Sequence, residues 1–158
     1  MSDPPPAHRP PNVVRATWVG GQAFETGRPG GPMARIDGTG RTAQSPPDAL
    51  LSAVASCSAI DVVEILAKRR TPVDRLEVNV IGHRVDTVPR RFHHLVLEFV
   101  IDGAGIDRAH AERAVELSLS KYCSVHASLD HGIRTDWLVV LNGEAAPAPR
   151  SVSNVAAR

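Results

Sequence analysis

The stretch SPPDALLSAVASCSAIDVVEILAKRR, residues 45–70, decides the fold because it is long, apolar and bounded by helix signals. Ser45 and Asp48 match a capping box, in which each residue satisfies an orphan group of the first turn. Pro46 suits the first helical position, where its missing N–H would have no partner. Three basic residues end the stretch, and Pro72 follows. The pattern predicts a helix from about residue 46 to residue 70.

This predicted helix is apolar on nearly every side, so it must be covered on most of them. One chain of 158 residues with one other helix and a few strands can hardly do so. We therefore expect a homodimer. The stretch approaches the length of a membrane span, but Asp61 and Glu64 interrupt it. Since a charge at the bilayer centre costs at least about 2.5–3.5 kcal/mol, we expect a buried helix and no membrane partner.

Alternating apolar and polar residues predict strands on both sides of the helix. Gly20-Gly21 marks a hairpin turn between the first two strands. A second helix is expected from Asp107 to near Cys123. The strands fall near residues 13–19, 22–26, 33–37, 76–80, 95–101 and 133–141. The order β-β-β-α-β-β-α-β indicates an α+β fold with central buried helices.

The two ends of the chain carry no apolar periodicity. Residues 1–11 are rich in proline, and residues 143–158 read similarly, so we expect a disordered arm and a disordered tail around one domain, residues 12–142. The N-terminus lacks the apolar core of a signal peptide, which favours the cytoplasm. The formal net charge is +1 without a basic segment, so no nucleic-acid partner is expected.

The chemistry available to the chain centres on two cysteines, Cys57 and Cys123. A structural disulfide is unusual in the cytoplasm, which leaves redox chemistry, metal binding or plain packing. Cys57 lies mid-helix among small residues, and Asp61 shares its face. A carboxylate there would raise the thiol pKa, so a thiolate needs a cation from elsewhere. Spacing alone cannot show whether the two thiols meet.

Histidines near Cys123 raise two further possibilities. His126 and His131 could join Cys123 around zinc, but their spacing matches no standard ligand pattern, so no metal and no other cofactor is expected. His126 could instead tune the thiol, although an exposed loop histidine is the simpler interpretation.

Three motifs carry a resemblance to a known family. They are SPPDALL with ASCSAIDVV (residues 45–51 and 55–63), AVELS with KYCSV (114–118 and 121–125), and the hairpin WVGGQAF (18–24). In their order and spacing they resemble the OsmC/Ohr family of thiol-dependent, hydroperoxide-removing proteins, and within it the YhfA-like subgroup. The match runs from about Val13 to Leu141.

The resemblance implies an intertwined homodimer whose central helices cross. It also implies that Cys57 attacks an organic hydroperoxide and becomes a sulfenic acid, which Cys123 resolves to a disulfide. A small dithiol such as a reduced lipoyl group would restore the thiols. A non-peroxidase redox sensor or small-molecule binder on the same scaffold is the alternative.

The chain departs from the peroxidase members at two positions. Pro47 stands where those members place a Glu, with Asp48 one step later, and Gln22 stands where they place an activating Arg. Arg15 and Arg35, on neighbouring predicted strands, are the candidates to supply the missing cation, and Asp48 the candidate to replace the Glu.

Overall fold

The structure, a computed structural model, describes residues 9–152. The chain divides into two compact units after Ala49. The first three strands form a sheet of their own, and the single domain over residues 12–142 stays a prediction. The predicted arm lies mostly outside the described residues, and residues 9–11 are exposed without regular structure.

The first unit holds three antiparallel strands, β1 (Arg15–Gly20), β2 (Ala23–Gly27) and β3 (Met33–Asp37). The predicted hairpin is confirmed, and Gly20 and Gly21 both adopt positive φ, 112° and 53°, which glycine permits without steric cost. The expected half-burial of β1 is wrong for the single chain: its side chains are exposed, with Trp18 at 65%.

Helix α1 spans Pro46–Lys68. The Asp48 amide donates to Ser45 Oγ at 3.3 Å, and the Ser45 hydroxyl donates to the Asp48 carboxylate at 2.6 Å. The predicted bond from the Asp48 amide to Ser45 is therefore confirmed, whereas the Asp48 carboxylate accepts from the Ser45 hydroxyl where the capping box predicts the Ser45 amide. The helix ends two residues before the expected position, at a turn in which Arg70 adopts a left-handed φ of 63°. Its buried stripe consists of Val54, Ser58, Val62 and Leu66, each four residues apart.

The second unit is built on a five-stranded sheet. Strands β4 (Arg75–Arg84) and β5 (Phe92–Asp102) form an antiparallel pair, and β6 (Arg134–Leu141) runs parallel to β5. A parallel pair needs a crossover, which α2 (Arg108–Leu117) supplies. Inward residues of β5 and β6 pack with α1 and α2 in the core: Leu95, Leu97, Phe99, Ile101, Trp137 and Val139 among them. The α+β class is confirmed.

The predicted second helix is confirmed: Asp107 caps it, and its helical turns end at Tyr122, next to Cys123. The sequence did not show that α2 changes at Leu117 into a π-helical turn over Ser118–Tyr122. A one-turn helix, α3 (Ser124–Ala127), follows Cys123.

The predicted disordered tail is wrong for residues 144–152. Strand β7 (Glu144–Ala145) and strand β8 (Arg150–Val152) both pair with β6. The Arg150 guanidinium contacts the Glu112 carboxylate and lies 5.6 Å from the Trp137 ring centre. Ser151 donates to the Asp136 carboxylate. These long-range contacts order a segment whose composition reads as a tail, and residues 153–158 lie outside the described residues.

One face of α1 stays exposed in the single chain. Ile60 is 60% exposed and Leu50 40%, and only 22% of the helix's most apolar window is buried. By length and composition α1 could cross a membrane, a test that core helices of soluble proteins also pass. One chain therefore does not bury this helix as the sequence predicts. The absence of a membrane partner stays a prediction.

Candidate thiol site

The fold brings the two thiols of the chain together. Cys57 lies in the middle of α1, and Cys123 follows the π-helical turn. The Cys57 side chain is close enough to Cys123 to raise the pKa of its thiol, although 66 positions separate the two residues in the chain. Both cysteines are free. The fold thus makes the two cysteines neighbours, and their pairing in a disulfide stays a prediction.

The two thiols have different surroundings. Cys57 is half-buried, whereas Cys123 is 2% exposed. Burial is the main cause that raises the pKa of Cys123, to about 12, and the contact with Cys57 and the charges of Cys57 and Asp61 raise it further. The His126 amide, which donates to Cys123 Sγ at 3.4 Å, opposes this rise. Cys123 is consequently a neutral thiol at neutral pH.

The π-helical turn aims Cys123 at α1. The Cys123 amide donates to the Ser118 carbonyl five residues earlier, at 2.8 Å. Cys123 itself leaves helical geometry, with φ −66° and ψ 96°, and its sulfur caps α3. A π-helical turn adds a residue to the helical register and often marks a functional site. Here it moves Cys123 out of the regular spacing of α2.

His126 is a core residue. It is fully buried, and its Nδ1 lies 2.9 Å from the Leu119 carbonyl, which can only accept, so Nδ1 carries the proton. Nε2 then accepts from the Thr135 hydroxyl at 3.1 Å. Burial lowers the pKa of His126, which keeps the ring neutral. The expectation of an exposed loop histidine is wrong, and His126 meets Cys123 through its backbone amide.

Asp61 and Ser118 complete the site, although neither was a candidate site residue from sequence. The Ser118 hydroxyl lies 2.9 Å from Asp61 Oδ2 and 3.2 Å from the Ser58 carbonyl oxygen. A cleft of about 410 Å³ opens beside Asp61. Its walls are formed by apolar and charged residues of α1, α2 and the π-helical turn: Asp61, Glu64, Ile65, Lys68, Arg69, Leu117 and Tyr122. The helical spacing of Cys57 and Asp61 was the sequence signal for this arrangement.

The proposed activating residues lie in the first unit. Arg15 is exposed at the start of β1, and Arg35 Nε on β3 is 3.8 Å from the Glu25 carboxylate. Asp48 is engaged with Ser45 in the helix cap. All three belong to residues 1–49, whereas Cys57 and Cys123 belong to the second unit, so a role in thiolate activation stays a prediction. Among residues 9–152, no group of three His, Cys, Asp or Glu side chains is arranged to hold a metal ion.

Residues 38–137 match the family model described as OsmC-like protein. The chain belongs to the OsmC-like family. Protein YhfA of Escherichia coli K12 is 40% identical over 121 residues, which cover 76% of this chain and 90% of YhfA. The resemblance read from the three motifs is thus confirmed, including its YhfA-like character.

Solved OsmC-like structures share the fold at low sequence identity. The OsmC-like protein of Mycoplasma pneumoniae is 15% identical with a TM-score of 0.74, over 85% of this chain and 99% of that one. The organic hydroperoxide resistance protein OhrB of Bacillus subtilis is 16% identical with a TM-score of 0.53, over 83% and 98%. Both likenesses place the present chain on the OsmC scaffold.

Proposed function

We propose that this OsmC-like protein reduces organic hydroperoxides through a two-cysteine cycle. The closeness of the Cys57 side chain to Cys123 carries the proposal. Two neighbouring free thiols can give up two electrons by forming a disulfide, and a small dithiol can return those electrons and restore both thiols. A fold shared with a protein named for organic hydroperoxide resistance supports the same direction.

Cys57 is the nucleophile in this cycle. It is the more accessible thiol, whereas Cys123 is buried and held protonated. The Cys57 thiolate attacks the terminal oxygen of the hydroperoxide, the O–O bond breaks, and the alkoxide leaves as an alcohol after it takes up a proton. Cys57 becomes a sulfenic acid. Cys123 then closes a disulfide with Cys57 and releases water.

The cleft beside Asp61, one helical turn from Cys57, favours an organic substrate. Ile65, Leu117 and Tyr122 supply apolar surface to a space of about 410 Å³, the size of a small organic ligand. Hydrogen peroxide would leave that surface without a partner. The proposal includes a homodimer, a small dithiol or lipoyl-type reductant and a cytoplasmic location.

A redox-sensing or small-molecule-binding role is the second candidate. Pro47 and Gln22 replace the Glu and Arg that the peroxidase members use, and Asp61 adds a negative charge near the thiols. Because a thiolate without a cation is sparsely populated at neutral pH, turnover on this site could be too slow for detoxification.

The first experiment treats the reduced protein with a slight excess of cumene hydroperoxide and follows its intact mass and peptide map. We expect a Cys57–Cys123 disulfide within seconds and its reversal by dihydrolipoate. C123S should stop at a Cys57 sulfenic acid, and C57S should not react. Free thiols in the wild type after the same exposure would contradict the peroxidase cycle and favour the sensing or binding role.

A further inference from the structure

Asp61 links the surroundings of the two cysteines to the open cleft. It lies one helical turn after Cys57 on the same face of α1. Ser118 connects it to Cys123, because the Ser118 hydroxyl donates to Asp61 and the Ser118 carbonyl accepts from the Cys123 amide at 2.8 Å. Its carboxylate also lines the cleft, where water has access. Ser118 holds the carboxylate from the opposite element, with the hydroxyl 2.9 Å from Oδ2.

The Ser118 hydroxyl faces two acceptors with one hydrogen. When Asp61 is ionised, the hydroxyl donates to Oδ2, because a charged acceptor makes the stronger bond. When Asp61 is protonated, its own O–H can donate to Ser118 Oγ, and the Ser118 hydrogen turns to the Ser58 carbonyl at 3.2 Å. Asp61 can therefore gain or lose a proton without leaving a polar group unpaired.

We propose that Asp61 is the proton acceptor for the Cys123 thiol when Cys123 closes the disulfide with Cys57, and that Ser118 is the positioning residue that holds the Asp61 carboxylate. The proposal rests on the two-cysteine cycle proposed above. The transfer is direct or passes through one water at the mouth of the cleft.

The step balances without a further reactant. The Cys123 sulfur attacks the sulfur of the Cys57 sulfenic acid, the S–O bond of Cys57 breaks, and the S–S bond forms. Asp61 takes the Cys123 proton and passes it to the departing hydroxide, which leaves as water. The Cys57 sulfur is reduced by one electron and the Cys123 sulfur is oxidised by one, while the hydroperoxide has already supplied the oxidation.

Cys123 needs a proton acceptor more than an ordinary cysteine does. With a pKa of about 12, only about one Cys123 in 10⁵ is a thiolate at pH 7. Asp61 contributes to that rise through its charge. Its two effects oppose each other, since the negative charge disfavours the free thiolate whereas the carboxylate oxygen can remove the proton during attack. This opposition makes the role testable by the direction of a rate change.

The test treats the reduced full-length protein with dithiobis(nitrobenzoate). This reagent oxidises thiols by disulfide exchange, so the test requires no peroxide. Cys57 releases the first nitrothiobenzoate, and Cys123 releases the second when it attacks the mixed disulfide. For D61N we expect the second release to be on the order of 100-fold slower, without slowing of the first. D86N, the same substitution in the exposed loop after β4, should behave as the wild type. C123S should abolish the second release.

A second release in D61N as fast as or faster than in the wild type would overturn the proposal, because loss of the charge alone lowers the Cys123 pKa and speeds attack. Absence of the second release in the wild type would overturn it as well. Slow release in D61N together with a wild type inert to cumene hydroperoxide would remove the peroxidase function but keep Asp61 as proton acceptor.

Two further measurements test the proton transfer if the D61N variant does not fold. S118A should slow the second release less than D61N does, since the carboxylate remains but is no longer held. The wild-type second release should be slower in D₂O than in H₂O, because a proton moves in that step. Equal wild-type rates in the two solvents would contradict the transfer.

Discussion

His126 stabilises the fold only in its neutral form, because its ring is enclosed and both ring nitrogens have partners. Its folded-state pKa lies below the unfolded value near 6.5, so the unfolded chain binds more protons under acid conditions. The stabilisation is fully present above about pH 6.5 and is lost as the pH falls toward the folded-state pKa. Below the unfolded-state pKa, His126 contributes up to about 1.4 kcal/mol per pH unit to the slope of the unfolding free energy against pH.

The first prediction is that H126N reduces this acid sensitivity. Asn retains a donor close to the Nδ1 position but loses the partner of the Thr135 hydroxyl, so we expect about 1–3 kcal/mol lower unfolding free energy at pH 7.5. Between pH 6.5 and 5, the difference in unfolding free energy between H126N and the wild type, measured by urea unfolding, should become smaller. H93A, at an exposed strand position, should keep the wild-type slope. A constant gap across the range would contradict a neutral buried His126.

Site residues could be read from the sequence only to a limited depth. Cys57 and Cys123 stood out as the two thiols of the chain, but their pairing came from a family resemblance, because 66 residues separate them and only the fold makes them neighbours. Asp61 was visible as a neighbour of Cys57 on one helix face. Ser118 gave no signal, since a serine that bonds a carboxylate 57 residues away looks like any other serine.

Helix α1 depends on its N-terminal cap, which leads to a prediction at the level of the element. The Ser45 hydroxyl accepts from the Asp48 amide and also donates to the Asp48 carboxylate. S45A should lower the unfolding free energy by about 1 kcal/mol in a urea titration. S45T retains the hydroxyl, so its unfolding free energy should stay within a few tenths of a kcal/mol of the wild type. A neutral S45A would show that the cap adds nothing to stability.

Elements were predictable where the signal was local. Strand alternation and the Ser45 cap act over a few residues, so β3, β6 and the start of α1 fell where expected. The π-helical turn before Cys123 has no such signature, because the extra residue shows only in the hydrogen bond from the Cys123 amide to Ser118. Strand β8 was missed because a contact between Arg150 and Glu112 spans 38 residues.

At the scale of the whole molecule, the apolar face of α1 needs a cover that one chain does not provide. Ile60 and Val63 stay exposed beside Leu76 of β4, around a shallow cleft of about 500 Å³. The sequence predicted that such a helix must be buried and that a second subunit would cover it. A second copy of the chain is the proposed cover, since it would present the same apolar face in return.

Replacing Ile60 by Asp tests that cover. Each copy would lose the burial of one isoleucine, about 1.5 kcal/mol or more, and would place a carboxylate in an apolar contact. Two copies together imply a dimer dissociation constant at least about 100-fold higher, visible as a monomer mass in light scattering at micromolar concentration. V88D, at a loop residue that is 91% exposed, should remain dimeric. A monomeric wild type would rule out this interface, whereas a dimeric I60D would move it elsewhere on the chain.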